Sequence, residues 1–223
     1  MFGIFKRKKN QEKIKSDFTE KYTEFYKKKF PKLPDATIQK MASKKTEWEM
    51  DTQRLKKEDV LSLLKKIELP AIINDLFVEN EKSKKLELDD FYRCPSEYFL
   101  MTKNEQDHYN VDVIIPFLSD PSFYKIYAYD TTRNGFLTFD IESPDAIEKT
   151  ERFTWDGIFV SDILFWWECD VEKNRILEYG DVLNLKWVEE ILNSIENDLD
   201  NSTTASCTDW KNTIYTKYNM IIK

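Results

Sequence analysis

Glycine is almost missing from this chain. Gly3, Gly135, Gly157 and Gly180 stand isolated among 223 residues, so neither GxGxxG nor GxxxxGK[ST] can be written. That excludes the commonest phosphate-cradling loops and leaves other modes of nucleotide binding open. Histidine is reduced to His108, in the polar stretch KNEQDHYN, which removes His-rich metal sites and His–His pairs. A lone histidine in such a setting reads as a surface residue rather than a catalytic base. Cysteine is scarce as well: Cys94, Cys169 and Cys207 lie far apart, are odd in number and form no CxxC pair. Neither a disulfide framework nor a Cys-rich zinc site is suggested, and free thiols in a reducing cytoplasm are expected. No apolar run approaches the ~18 residues that would span a bilayer. The opening MFGIFKRKK is unlike a secretory signal, because its apolar run is too short and its cations follow it.

What is present suits a packed core. Hydrophobic residues make up 41% and aromatics 14%, against 34% charged, a balance compatible with globular folding. Net charge is −7, unevenly spread: residues 1–29 hold ten Lys/Arg against four Asp/Glu, whereas from Pro121 onward ten face nineteen. A body this acidic repels phosphate, so direct nucleic-acid binding is not expected. It suits a basic partner, although an acidic surface also serves solubility alone.

Three segments are expected. Residues 1–30 form a basic leader and helix, in which Ile14, Phe18, Tyr22, Phe25 and Tyr26 recur at helical spacing. Residues 1–9 could touch an anionic membrane surface, but four cations with a few apolar residues anchor weakly, and a leader ahead of a docking helix is the preferred reading. Residues 31–200 form an α+β domain, and residues 201–223 a tail with a late strand suggested by its Ile/Tyr alternation. Within the domain, Asp35 is placed to cap a helix, and Lys56–Glu68 carries a wide apolar face ended by Pro70. Short strands are suggested in LFVE and KLELDDFYR. Val111, Val113, Ile115 and Phe117 alternate, with Pro116 marking an edge or a bulge. Tyr124–Asp130 and Phe136–Ile141 predict a hairpin through Asn134-Gly135, with a loop longer than two residues. One helix is expected over Trp155–Glu168, a short strand at Ile176–Tyr179, and a last helix capped by Asn184 with Leu185, Val188, Ile191, Leu192 and Ile195 on its stripe.

No constellation dictates chemistry. Carboxylates cluster around the hairpin at Asp130, Asp140, Glu142 and Asp145, at Asp89-Asp90, and at Glu168 and Asp170. Paired carboxylates can run acid–base chemistry or hold Mg²⁺ or Ca²⁺, yet neither D-x-D-x-D-G nor H-E-x-x-H occurs. With 41 acidic residues, solvated surface is the preferred reading. The aromatic run Phe153, Trp155, Phe159, Phe165, Trp166 and Trp167 reads as core first and as a ligand wall second. Its three consecutive rings cannot share one face, and one of the adjacent tryptophans, if exposed and bordered by acids, would make a binding anchor.

The series IPFLSD…YAYD…FDIESP…FVSDILFWWE resembles the SUKH superfamily, which contains fungal cell-wall-synthesis regulators and bacterial immunity proteins. The resembling positions are Ile115-Pro116, Ser119-Asp120, Tyr127–Asp130, Phe139–Glu142, Phe159–Glu168 and Leu185–Glu196, in a stretch of about 80 residues. The chain departs from the family where Asp120-Pro121-Ser122 replaces a Gly-rich segment. The resemblance implies an α+β fold, a largely antiparallel β-sheet with helices packed around it. It also implies binding without turnover: no catalytic residue, no metal and no cofactor. The expected function is that of a cytoplasmic immunity-type protein blocking a toxin domain, for instance a basic nuclease. The expected contact surface is Asp130, Asp140, Glu142, Asp145, Glu168 and Asp170. A regulatory or scaffold module recruited to a membrane by the basic leader is the alternative.

Overall fold

A computed structural model of the chain describes residues 2–51, 54–79, 87–199 and 204–222. Side chains of residues 1–12, 14 and 201–206 lie outside the described residues, and with them Lys6, Arg7, Lys8 and Lys9, on which the expected membrane contact of residues 1–9 rests. The fold is α+β, and the chain divides into two compact units.

The first unit comprises Met1–Leu55 with Phe99–Gln106. Helix α1 (Phe2–Lys29) turns through Pro31 and Pro34 into α2 (Asp35–Met50). The helices run antiparallel, as Lys27 pairs with Asp35 at 3.1 Å and Lys15 with Glu47 at 3.6 Å. Proline cannot continue a helix, which fixes the turn. Asp35 is the first residue of α2 rather than its cap, a position Pro34 takes. The unit is basic, with 16 Lys/Arg against nine Asp/Glu, a net of +7.

The second unit, Lys56–Tyr98 with Asp107–Lys223, holds 18 Lys/Arg against 32 Asp/Glu, a net of −14. Its helix α3 (Lys57–Ile67) buries Val60 and Leu64 and carries Glu58 and Asp59 in its first turn and Lys65 and Lys66 in its last. That order complements the helix dipole. Glu68 ends it in the left-handed region at φ 57°. LFVE is not a strand: Ala71–Phe77 is helix α4, whose Ile72, Ile73, Leu76 and Phe77 are all buried. In KLELDDFYR, Leu88–Asp90 is a 3-10 turn, and among the described residues of the segment only Arg93 bridges to the sheet, at Ser119. Buried Leu88 and Tyr92 lie four apart, a helical spacing that the apparent alternation conceals. The short helix α5 (Lys103–Asp107) precedes the sheet.

The antiparallel sheet has the order β1 (Ile114–Ser119), β2 (Lys125–Asp130), β3 (Gly135–Asp140), β4 (Arg152–Phe153), β5 (Ile221–Ile222). Strand β1 is at the edge and its register slips between Pro116 and Leu118, as Pro116 foretold. It is buried along its whole length, so the expected alternation fails because both faces are covered. The β2–β3 hairpin forms as expected, with residues 131–134 between the strands. Only Asn134 has positive φ, 52°; Gly135 already pairs with Asp130 inside the ladder. A Cβ at Gly135 would meet Ile222 Cδ1 at 2.8 Å and Arg152 Cβ at 3.0 Å, so close packing rather than turn geometry favours glycine there.

The expected helix over Trp155–Glu168 is broken at Phe159 into α6 (Trp155–Ile158) and α7 (Val160–Glu168). Of the three adjacent rings, Phe165 is exposed, Trp166 buried and Trp167 half-buried. Ile176–Tyr179 belongs to helix α8 (Lys173–Val182), not a strand, since Ile176, Tyr179 and Gly180 bury one helical face. Asn184 does not cap the next helix. It sits at φ 53° beyond α8, and α9 (Val188–Asp198) begins after Trp187. The tail forms helix α10 (Thr204–Lys217), anchored by Trp210 and Ile214, and only Ile221–Ile222 supplies the late strand. Among the described residues no helix is long and apolar enough to cross a membrane.

Candidate functional site

Successive residues of a strand point to opposite faces, so β2 sorts its side chains cleanly. Lys125, Tyr127 and Tyr129 share one face with Phe136, Thr138 and Asp140 of β3, their cross-strand partners. Helices α6 and α7 cover that face: Phe159 stacks on Tyr127 at 6.0 Å and Trp155 meets Phe136 edge-on at 5.1 Å. On α7, Asp162, Phe165, Trp166 and Cys169 follow the i, i+3, i+4, i+7 spacing and form one stripe. The stripe carries a carboxylate into a largely aromatic layer.

Asp162 is 8% exposed and fully engaged. Tyr127 donates to both its oxygens, at 2.9 and 3.0 Å, Tyr92 donates to Oδ2 at 3.1 Å, and Lys125 Nζ lies 2.8 Å from Oδ1. A carboxylate so buried needs these donors, since an unmatched one would cost several kcal/mol. Burial, reinforced by the adjacent Asp162 charge, pushes the phenols of Tyr92 and Tyr127 far above the ordinary tyrosine value. Both therefore stay protonated and act as fixed donors. Lys125 differs: its side chain is 31% exposed, and its amine also lies 4.6 Å above the Tyr127 ring.

These groups form the floor of a groove of about 440 Å³. Its walls include Phe91, Phe165 and Trp166; Phe91 approaches Trp166 at 5.9 Å and Phe165 at 6.5 Å, both edge-on. Phe165 is 51% exposed. The lining holds three acids, Asp90, Asp120 and Asp162, against one cation, Lys125. Asp120 is fixed by accepting the Lys125 N–H at 2.8 Å.

The six acids expected at a contact surface separate. Asp130 is on the opposite face of the sheet and 2% exposed. It accepts the N–H groups of Thr132 and Arg133 at 2.9 and 3.0 Å and pairs with buried Arg152 at 2.8 Å. Its role is to hold the hairpin loop, and it is removed from any contact surface. Asp140 is half-buried directly across the ladder from Lys125, on the groove's face of the sheet. Glu142 and Asp145 are exposed just beyond β3. Glu168 and Asp170 are exposed at the end of α7, on either side of Cys169, which lines the groove. Sequence reasoning missed Asp162, Tyr92 and Lys125. The available signal was an aspartate on the buried stripe of an aromatic helix, where a charge needs a partner.

His108 is exposed. Among the described residues no group of three or more His, Cys, Asp and Glu is placed to hold a metal ion. The arrangement presents a carboxylate held by two phenols, a partly exposed ammonium and an aromatic wall, a combination suited to recognising a cation with an apolar stem. Compared with family models, curated proteins and solved structures, the chain matches none.

Proposed function

We propose that this chain is an immunity-type binding protein that captures a basic protein domain, such as a toxin nuclease, through the acidic face bearing the Asp162 groove. The carrying observation is that the unit of net charge −14 opens an aromatic-walled groove whose lining is itself acidic. Charge of that size accelerates encounter with a basic partner, and a half-exposed ring such as Phe165 supplies the kind of anchor on which affinity depends. The SUKH resemblance of the strand pair and of the covering helix supports the same reading. Glu142, Asp145, Glu168 and Asp170 are exposed and suit the contact rim, with Asp140 beside the groove.

The test is co-expression with a toxin domain encoded beside this gene. A stoichiometric complex that restores growth, and that weakens when the four exposed acids are reversed to lysine, is the expected result. Growth arrest with no complex formed refutes the reading.

A further inference from the structure

We propose that the groove seats one arginine side chain of the partner polypeptide, its stem against Phe91 and Phe165 and its guanidinium at Asp162, in the place held here by the Lys125 amine. This rests on the reading of the chain as a binder of basic proteins and names the chemistry of that contact.

The site already holds a cation of its own. Lys125 reaches Asp162 at 2.8 Å and Tyr127 from above its ring at 4.6 Å, so carboxylate and aromatic face together accept a positive group. The two partners are unequally held. Asp162 is tied by two phenol donors and has an 11% exposed side chain, whereas that of Lys125 is 31% exposed. The partly exposed ammonium is the member that can move out to water, while the two phenols go on donating to the carboxylate. The carboxylate cannot follow it. Removal of Lys125 leaves a carboxylate still held in position by Tyr92 and Tyr127, with the place of the ammonium on Oδ1 vacated.

Charge and shape then select the newcomer. With Asp90 and Asp120 also in the lining, the groove is acidic even while Lys125 is in place and repels an anionic ligand. Its walls are rings, and Phe165 leaves half its surface open to a visitor. A planar guanidinium stacks on aromatic faces and is more weakly hydrated than a compact ammonium, so it enters a ring-walled groove at less cost. Arginine is therefore preferred over the lysine it displaces. The volume of about 440 Å³ admits the side chain together with neighbouring partner atoms.

The experiment titrates N-acetyl-arginine amide into the ¹⁵N-labelled full chain and follows the Trp166 indole signal and the amides of residues 161–166. N-acetyl-lysine amide and the neutral isostere N-acetyl-citrulline amide are the comparison probes. Arginine amide should shift these signals, lysine amide less, and citrulline amide not at all. Lys125→Met should tighten arginine binding about fivefold by removing the resident competitor, and Phe165→Ala should weaken it about fivefold. Both residues are partly exposed, so both variants should fold. Equal shifts with citrulline amide, or binding weakened or unchanged by Lys125→Met, overturn the proposal. A basic domain that binds the Lys125→Met and Phe165→Ala chains normally, while arginine amide leaves Trp166 unmoved, refutes the groove seat but not protein binding. Arginine amide that titrates as expected, into a chain that captures no basic domain, supports the seat and refutes the wider reading.

Discussion

Asp130→Asn should be among the most damaging conservative substitutions in the chain. Asp130 and Arg152 pair at 2.8 Å with side chains only 3% and 4% exposed, so removing the negative charge strands a buried guanidinium. Breaking one side of such a pair costs about 3–5 kcal/mol. Asparagine keeps an oxygen for the Thr132 and Arg133 N–H groups, so the substitution isolates the charge from the turn. Burial raises the Asp130 carboxyl, but the Thr132 hydroxyl, the Arg133 N–H and the Arg152 guanidinium lower it more, from 3.8 to about 2. That depression corresponds to about 2 kcal/mol at neutral pH. Its sign is that of a carboxyl lowered on folding: the stabilisation is complete above the unfolded value near 4 and is lost as pH falls through about 2. Urea unfolding at pH 7 should therefore place Asp130→Asn about 3 kcal/mol below the parent, with the gap closing between pH 4 and pH 2. Arg152→Met should cost less, about 2 kcal/mol, because Asp130 keeps its turn donors. The double variant should fall short of the sum by at least about 1 kcal/mol. Strict additivity, or an Asp130→Asn cost under about 1 kcal/mol at pH 7, would refute the buried-pair reasoning.

Other perturbations test the rest of the structure. Tyr127→Phe removes the donor to both Asp162 oxygens and should cost about 1–3 kcal/mol in urea unfolding, with Tyr92→Phe at the lower end. Gly180→Ala places a Cβ 2.5 Å from Val188 Cγ2 and should cost about 1–3 kcal/mol, largely recovered by Val188→Ala as measured by thermal melting. The Cys94 thiol is pushed up to about 11 by burial, so an aromatic disulfide reagent at pH 8 should titrate exposed Cys169 and half-exposed Cys207 quickly and Cys94 only on unfolding.

The parts of the fold legible in the sequence are those decided locally. The β2–β3 hairpin follows from alternation and a turn dipeptide, and the α9 stripe from its 3.6-residue period. Pro116 announced an edge irregularity because it lacks an N–H. The failures are places where distant packing overrules local preference. Ile176–Tyr179 looks extended in isolation, but Gly180 lets α8 close against Val188, and a helix buries those residues better. Likewise the tail's Ile/Tyr alternation gives way to α10, because Trp210 and Ile214, four apart, find a core position and Trp210 donates to Ser194 at 3.0 Å. The candidate site was the least legible. Tyr92, Lys125 and Asp162 come from three segments separated by 33 and 37 residues, and no local rule joins them. Acid content was visible from the start, but not which acid would be buried behind the sheet and which would line a groove.

The outer side of β1 offers little to another strand. Pro116 has no N–H to donate, the register slips just beyond it, and Arg93 already exchanges hydrogen bonds with Ser119 at 2.8 and 2.9 Å. Helices α3 and α4 pack against the same strand. At the far side of the sheet, β5 is only two residues long. Strand addition, by which a sheet can recruit a peptide or polymerise into fibrils, thus finds no long template at either end among the described residues. Complexes of this chain should form through side chains rather than by extending the ladder, and a concentrated solution should stay free of amyloid-like growth.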